Sequence, residues 1–210
     1  MALQDIDLSY DRSGALTTPR ALKVGGPLTV AGNSISAPSN PQPADHGFIA
    51  WAYDSSFTST GQLLTNGTIH LSAVYLRAAT TISKCWWLVS AAAVTPTAGQ
   101  NWVGLVKADG TVLSTAGIDA LITTASVARS ATLTTPQAVA PGMYWVAIVC
   151  NAATAPTLMR TNGLATGTNN ANLAGATLRY ATNLTGQTSL PASIAPASNS
   201  PGPSLWVAVS

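Results

Sequence analysis

The sequence predicts an all-β protein, an antiparallel β-sandwich of jelly-roll type with an extended N-terminal arm. Charged residues make up 8% of the 210 residues and none of them is Glu, so typical surface helix formers are scarce. Short runs rich in Val, Ile, Thr and Trp recur between Gly, Pro and Asn, a pattern typical of strands and turns. The stretch "KADGTV" (107–112) places Asp109-Gly110 between two such runs, which is a strong hairpin signal.

Residues 1–45 are expected to form an arm and Pro-rich linker that serves attachment or subunit contact. The stretch "RALKVGGPLTVAGNSI" (20–35) holds two short strand candidates split by a Gly-Gly-Pro turn, and "SAPSNPQPADHG" (36–47) is typical of a linker or rigid turn. Alone, the segment has too little apolar surface to fold, so we expect it to dock on its own domain or on another protein. The candidate docking side chains are Leu22, Val24, Leu28 and Val30.

Residues 46–210 are expected to form the sandwich domain, because strand candidates separated by turn signals recur along this part of the chain. One stretch, "TAGIDALITTASVA" (115–128), has the composition of a short helix. The expected strands are 47–53, 68–77, 80–91, 101–107, 111–115, 131–134, 143–151, 157–160, 177–182 and 204–209.

Two adjacent tryptophans, Trp86 and Trp87, lie in the strand candidate 80–91 and must point to opposite faces. Lys84 prefers water, which predicts that Ile82 and Trp86 share its outer face and that Trp87 enters the core. An outward tryptophan has three interpretations: it is covered by the arm or a loop, it packs on a neighbouring subunit, or it stacks on a sugar ring.

The strand candidate 143–151 has apolar residues at both alternating sets of positions, so it is either covered on both sides or lies at a subunit contact. The strand candidate 80–91 also presents apolar side chains on its outer face. We therefore favour a subunit contact, a place where Trp and Tyr are typical. The candidate residues for an interface or a glycan contact are Trp86, Trp102 and Tyr144.

Catalytic patterns are scarce in the sequence, so we expect no enzyme, no cofactor and no resident metal. Glycoside hydrolysis needs a carboxylate pair, whereas the seven Asp are dispersed. The G-x-S-x-G motif and a phosphate-binding loop are both missing. Asp45 and His46 with His70 lack the close spacing of metal ligands.

Nucleic acid and membranes are not expected partners. The nine Lys and Arg are scattered without a basic cluster, which disfavours nucleic-acid binding. The apolar runs fall short of the ~18 residues that span a bilayer, and the N-terminal stretch lacks the apolar core of a signal peptide. We therefore expect synthesis in a cytoplasm, with Cys85 and Cys150 as buried thiols.

Several segments, in this order, resemble one known family. They are "GTIHLSAVYLRAATTISKCWWLV", "TAGQNWVGLVKADGTVLSTA", "APGMYWVAIVCNAATAPTLMR", "LRYAT" and "LPASIAPAS" followed by "SLWVAVS". Together they are similar to the carboxy-terminal β-sandwich domain of minor tail or tail-fibre proteins from phages of actinobacteria. The resemblance covers about residues 46–210. The hairpin of that family reads "L-Y-D-x-x-G-x-x-L". The hairpin here, "LVKADGTVL", departs slightly from it, because Lys107 and Ala108 precede Asp109.

The resemblance implies a virion component on the particle exterior, often a homotrimer, that acts in adsorption or assembly and carries no catalytic residue. We expect it to be tail-associated, to contact other virion proteins through the arm, and to have host cell-wall glycan as a further candidate partner. Fibres of this kind usually carry a longer shaft than the 45 residues found here, so a capsid decoration or head-fibre protein is the alternative. A free carbohydrate-binding module is a third hypothesis, disfavoured by the missing signal peptide.

Overall fold

The computed structural model describes residues 41–161 and 168–210, together with the backbone of four two-residue strands nearer the N terminus. The chain divides into two compact units, Met1–Asn40 and Pro41–Ser210. The division falls inside the Pro-rich stretch, five residues before the boundary expected from the sequence.

The first unit contains two short antiparallel pairs. The first pair is β1 (Ser9–Tyr10) with β2 (Leu16–Thr17), and the second is β3 (Thr29–Val30) with β4 (Asn33–Ser34). Of the predicted docking residues, Leu22, Val24 and Leu28 lie outside the described residues, and Val30 is described only through its backbone in β3.

The second unit is built from strands and short 3-10 helices. Its strands are β5 (Ala50–Trp51), β6 (Thr60–Leu63), β7 (Ile69–Leu76), β8 (Thr80–Ala91), β9 (Val94–Pro96), β10 (Trp102–Lys107), β11 (Val112–Gly117), β12 (Val127–Val139), β13 (Gly142–Val149), β14 (Ala152–Thr154), β15 (Thr157–Arg160), β16 (Tyr180–Asn183), β17 (Ser200–Pro201) and β18 (Val207–Val209). The 3-10 helices are Pro43–His46, Ser55–Phe57, Asp119–Ile122, Thr168–Asn170, Gly175–Thr177 and Pro196–Ser198.

Two six-stranded antiparallel sheets organise this unit. The first sheet has the order β11-β10-β13-β7-β16-β17. The second has the order β5-β18-β8-β15-β6, with β12 paired to the other side of β8. The unit is therefore all-β and antiparallel, consistent with a β-sandwich.

One hydrophobic core is shared by the two sheets. The first sheet contributes alternate residues of β10 and β13, such as Leu105 and Ile148, and the second contributes Trp87 and Val207, all of them almost fully buried. Burial of this kind is the main stabilising contribution in a chain that has few charges to pair.

A second hydrophobic cluster covers the opposite face of the first sheet. Trp145 and Val149 of β13 pack there with Leu178 and Ile194, from a segment of the same chain. The indole N–H of Trp145 donates to the carbonyl oxygen of Leu178 at 2.9 Å. β13 is thus covered on both faces, and the subunit contact favoured from the sequence is wrong for this face because the chain itself covers it.

The tryptophan pair of β8 follows the alternation expected from the sequence, while Ile82 does not. Trp87 is 0% exposed in the core, and Trp86, on the opposite face, is half-buried. The N–H groups of Ser83 and Lys84 both donate to the carbonyl oxygen of Ser210, each at 2.7 Å. This bulge changes the alternation, so that Ile82 also enters the core.

The predicted hairpin at Asp109-Gly110 joins β10 to β11. The N–H of Gly110 donates to the carbonyl of Lys107 at 2.9 Å, and Gly110 has φ +91°, which favours glycine. The short helix expected within 115–128 is present only as the 3-10 turn Asp119–Ile122.

Substituting Gly110 with alanine should lower the free energy of unfolding by about 2 kcal/mol. An added Cβ would collide with the carbonyl oxygen of Ile194 and meet Pro196 Cδ at 2.9 Å, in addition to the strain of the positive φ. Gly99→Ala is the matched control, because Gly99 also has a positive φ, +72°, but nothing lies within 4 Å of its Cβ position. Urea unfolding of both variants measures the difference, and equal losses would contradict the collision.

Candidate binding groove

A groove opens where the edge strand β5 of the second sheet approaches β7 and the start of β16 in the first. Its volume is about 470 Å³. Its lining combines aromatic rings, short apolar side chains and two arginines: Gln42, Pro43, Ala44, Ile49, Ala50, Trp51, Ala52, Tyr53, Tyr75, Arg77 and Arg179. These residues come from three separate parts of the sequence, so the groove exists only once the sheets have formed.

The guanidinium of Arg179 lies near two tyrosine rings. Its guanidinium carbon is 5.9 Å from the centroid of the Tyr75 ring and 5.5 Å from that of Tyr180, within the range of cation–π attraction. Tyr180 is buried in the core, whereas Tyr75 is 44% exposed. The guanidinium is thus held against the protein while part of the Tyr75 ring remains accessible to a ligand.

The buried amide of Asn170 fixes the backbone that carries Arg179. Its side-chain oxygen accepts from the N–H groups of Arg179 (2.9 Å) and Tyr180 (3.0 Å), and its Nδ2 donates to the carbonyl of Tyr180 at 2.9 Å. On the other side, the carbonyl of Arg179 accepts from the N–H of Ala73 in β7 at 2.7 Å. Arg179 therefore starts from a rigid backbone at the edge of the first sheet.

Tyr53 supports the groove wall from the second sheet. Its hydroxyl donates to the carbonyl of Ser204 at 2.8 Å, and its ring meets that of Tyr180 edge-on at a centroid distance of 6.4 Å. Burial raises the pKa of the Tyr53 hydroxyl, and burial also raises that of Tyr180. Both phenols therefore remain neutral at physiological pH, and the charge of the groove comes from its arginines.

An aromatic cluster lies on the face of the second sheet that points away from the core, and it shares Trp51 with the groove. Phe48 is at its centre, with ring centroids 5.3 Å from Trp86, 5.7 Å from Trp206 and 6.4 Å from Trp51. His46 packs edge-on against Trp51 at 5.3 Å.

Of the three predicted contact residues, Trp86 lies in this aromatic cluster. Its indole N–H donates to Ser210 Oγ at 2.9 Å, and Phe48 packs edge-on against its ring. A loop of the same chain thus covers part of the ring, as in the first interpretation, and a contact with a partner or a sugar stays a prediction.

The other two predicted contact residues lie on opposite faces of the first sheet. Trp102 is half-buried at the rim of the second hydrophobic cluster, and its indole N–H donates to the carbonyl of Gly99 at 2.9 Å. Tyr144 is 6% exposed in the core, and its hydroxyl donates to the carbonyl of Ala140 at 3.0 Å. The prediction for Tyr144 is therefore wrong, because the side chains of β13 that lie on the same face as Tyr144 point towards the second sheet.

The two cysteines are buried free thiols, as expected from the sequence. Cys85 and Cys150 are at most 1% exposed. Burial raises the pKa of each thiol to about 12, with a smaller contribution from Asp119 at Cys150. Both are therefore protonated and unreactive at neutral pH.

The two histidines differ in environment. His46 is exposed, whereas His70 is 5% exposed and burial lowers its pKa to about 4. Among the residues that the structure describes, no group of three His, Cys, Asp or Glu could hold a metal ion. Within the same residues, no helix has the length and apolar character needed to cross a membrane.

Sequence reasoning missed the groove. Tyr75 and Arg77 are close together along the chain, but Trp51 and Arg179 are far from them, and the set matches no short motif. Only the strand order brings these residues together. The alternation in β7 gave a partial signal, since Tyr75 points away from the core residue Val74.

Comparison of the chain with models of known protein families and with curated proteins gives no match in either case. The resemblance to phage tail proteins therefore remains a prediction.

Proposed function

We propose that the protein is a non-enzymatic structural protein of a bacteriophage particle, associated with the tail and acting in assembly or host-surface adsorption. The observation that supports this role most directly is the division into a small N-terminal unit and an all-β antiparallel unit. In this proposal the second unit is a sandwich of jelly-roll type, and the first is an attachment arm that contacts other virion proteins.

The chemistry of the second unit is compatible with a durable exterior protein. Its described ion pair, between Lys107 Nζ and Asp109 at 3.4 Å, is solvent-exposed and contributes little to stability. Two hydrophobic clusters supply the stability instead. Folding of this kind depends only weakly on salt, since buried apolar contacts are not screened by ions.

Antibody labelling of intact particles tests the proposed location. With gold-labelled antibody, we expect label on the tail of particles from the phage that encodes the protein, and none on particles from an unrelated phage. Label on the head would contradict the tail assignment and favour a capsid decoration or head-fibre protein.

Light scattering of the purified chain tests the homotrimer, for which we expect three times the 21.3 kDa chain mass. A monomer at micromolar concentration would contradict the homotrimer.

A further inference from the structure

We infer that the groove beside Tyr75 is a binding site for an anionic sugar unit of a cell-surface polysaccharide, with Arg179 and Arg77 contacting its carboxylate or phosphate. The site lies outside the residues that the sequence singled out for glycan contact. It is carried by three observations: the charge of the lining, the accessible ring beside a guanidinium, and the size of the groove.

The charge of the groove selects an anion. Two of its described lining residues carry a charge, and both are arginines, Arg77 and Arg179. A guanidinium presents a planar fork of N–H donors that matches a carboxylate or a phosphate in a bidentate geometry. Arg77 is exposed, so its guanidinium donors are accessible to a ligand, and the half-buried Arg179 contributes a second positive charge to the same lining.

The position of Arg179 reduces the entropy lost on binding. The guanidinium is within cation–π range of the rings of Tyr75 and Tyr180, and Asn170 fixes the backbone of Arg179. A side chain that is already ordered loses less conformational freedom when a ligand binds. A flexible surface arginine would lack this advantage.

The accessible part of Tyr75 selects a sugar over a small inorganic anion. A pyranose ring has an apolar C–H face that packs against an aromatic ring, while its hydroxyls need polar partners at the edge. Tyr75 is 44% exposed next to the guanidinium, and Ile49, 40% exposed, lies in the same lining. An acidic sugar presents both the apolar face and the anion within one residue.

The size of the groove suits one or two sugar units. Its volume of about 470 Å³ is within the roughly 300–1,000 Å³ typical of small-ligand sites. Nucleic acid fits less well, because the nine Lys and Arg are dispersed along the chain and do not form the basic track that a phosphate backbone needs.

This inference rests on the adsorption role in the proposed function, but its test uses purified full-length protein and is independent of any particle. Failure to bind would leave a structural role in the virion standing. Conversely, absence of the protein from particles would leave a measured binding site standing.

Calorimetric titration with three polymers tests the site. The probes are polygalacturonate, which supplies carboxylates, a poly(glycerol phosphate) teichoic acid, which supplies phosphates, and neutral dextran. We expect binding to at least one anionic polymer and none to dextran. Binding to polygalacturonate alone identifies a carboxylate ligand, and binding to teichoic acid alone identifies a phosphate ligand; both outcomes support the site. Equal binding to dextran, or no binding to any probe, would overturn it.

Variants locate the binding in the groove. Arg179→Gln and Tyr75→Ala should each weaken binding at least about tenfold, whereas Tyr75→Phe should retain it because the ring is kept. Lys107→Gln is the matched control, since it removes one positive charge from the β10–β11 hairpin, which is not part of the groove lining. Loss of affinity in Lys107→Gln equal to that in Arg179→Gln would overturn the site, as would unchanged affinity in both groove variants. Circular dichroism confirms that each variant is folded.

An acidic peptide serves as the decisive competitor. Poly-aspartate carries carboxylates without a sugar ring, so we expect it to bind more weakly than the preferred polysaccharide and to be insensitive to Tyr75→Ala. Binding as tight as that of the polysaccharide, with the same dependence on Tyr75, would overturn the assignment to a sugar and identify an acidic protein segment as the ligand.

Discussion

Replacing Trp87 with alanine is expected to lower the free energy of unfolding by about 3–5 kcal/mol, the usual range for a large aromatic side chain deleted from a core. Trp87 is 0% exposed between the two sheets, so its removal leaves a cavity that rigid strands on both sides cannot close. Urea unfolding followed by circular dichroism measures the loss without relying on tryptophan fluorescence.

Its neighbour provides the control. Trp86→Ala removes a half-buried ring and one hydrogen bond to Ser210, so we expect a loss of about 1–2 kcal/mol. If Trp87→Ala does not fold, Trp87→Phe gives the same comparison with a smaller cavity. It loses no hydrogen bond to the described part of the chain, where the Trp87 indole N–H has no partner. A greater loss in Trp86→Ala than in Trp87→Ala would contradict the assignment of inner and outer faces.

Acidification from pH 6.5 to pH 4 is expected to destabilise the protein by about 3 kcal/mol through His70 alone. Burial lowers the pKa of this imidazole from 6.5 to about 4, and neither ring nitrogen has a hydrogen-bond partner among the described residues. Between these pH values the unfolded chain binds a proton that the folded chain excludes. The stability is therefore present above pH 6.5, is lost as the pH falls through about 4, and levels off below that.

The measurement is the free energy of unfolding in urea across this pH range for the wild type and two variants. His70→Leu should remove most of the loss between pH 6.5 and 4, because it leaves nothing to protonate at this position. His46→Gln removes an exposed imidazole and should keep the loss. Carboxylates such as Asp109, whose pKa is lowered by its hydrogen bonds to Thr111, act at lower pH and are present in all three proteins. An unchanged slope in His70→Leu would contradict the role of His70.

Runs of β-branched and aromatic residues were enough to predict most of the strands. The expected strands 80–91 and 157–160 have the same bounds as β8 and β15. The strand β6, with the sequence "TGQL", was missed because its stability comes from pairing with β15 and not from its own residues. The expected strand 131–134 is shorter at both ends than β12, which spans Val127–Val139.

In the structure β12 continues past Pro136 to Val139. The register with β8 shifts between Thr132 and Gln137, and such an irregularity tolerates the missing N–H of Pro136. Thr134 Oγ1 and the N–H of Thr135 also find partners in β11, at 2.7 and 3.1 Å. Tertiary contacts of this kind have no local signature in the sequence.

The groove shows the same limit of prediction from sequence. Alternation placed Trp87 inside, but in β13 both alternating sets are apolar, so the sequence alone could not tell which set faced the other sheet and Tyr144 was misplaced. The groove residues Tyr75 and Arg179 become neighbours through the pairing of β7 with the β16 region. No single stretch of sequence contains enough of the groove to indicate it.

The central position of β18 has a consequence for folding kinetics. This strand lies between β5 and β8, and the Trp206 indole N–H beside it donates to the carbonyl of Tyr53 across 153 residues of chain. The β10–β11 hairpin can form within microseconds, whereas joining such distant segments requires a large loss of chain entropy before any contact compensates for it. We therefore expect the second sheet to form late in folding, and until it closes we expect the edges of β5 and β8 to be open to mispairing with other chains.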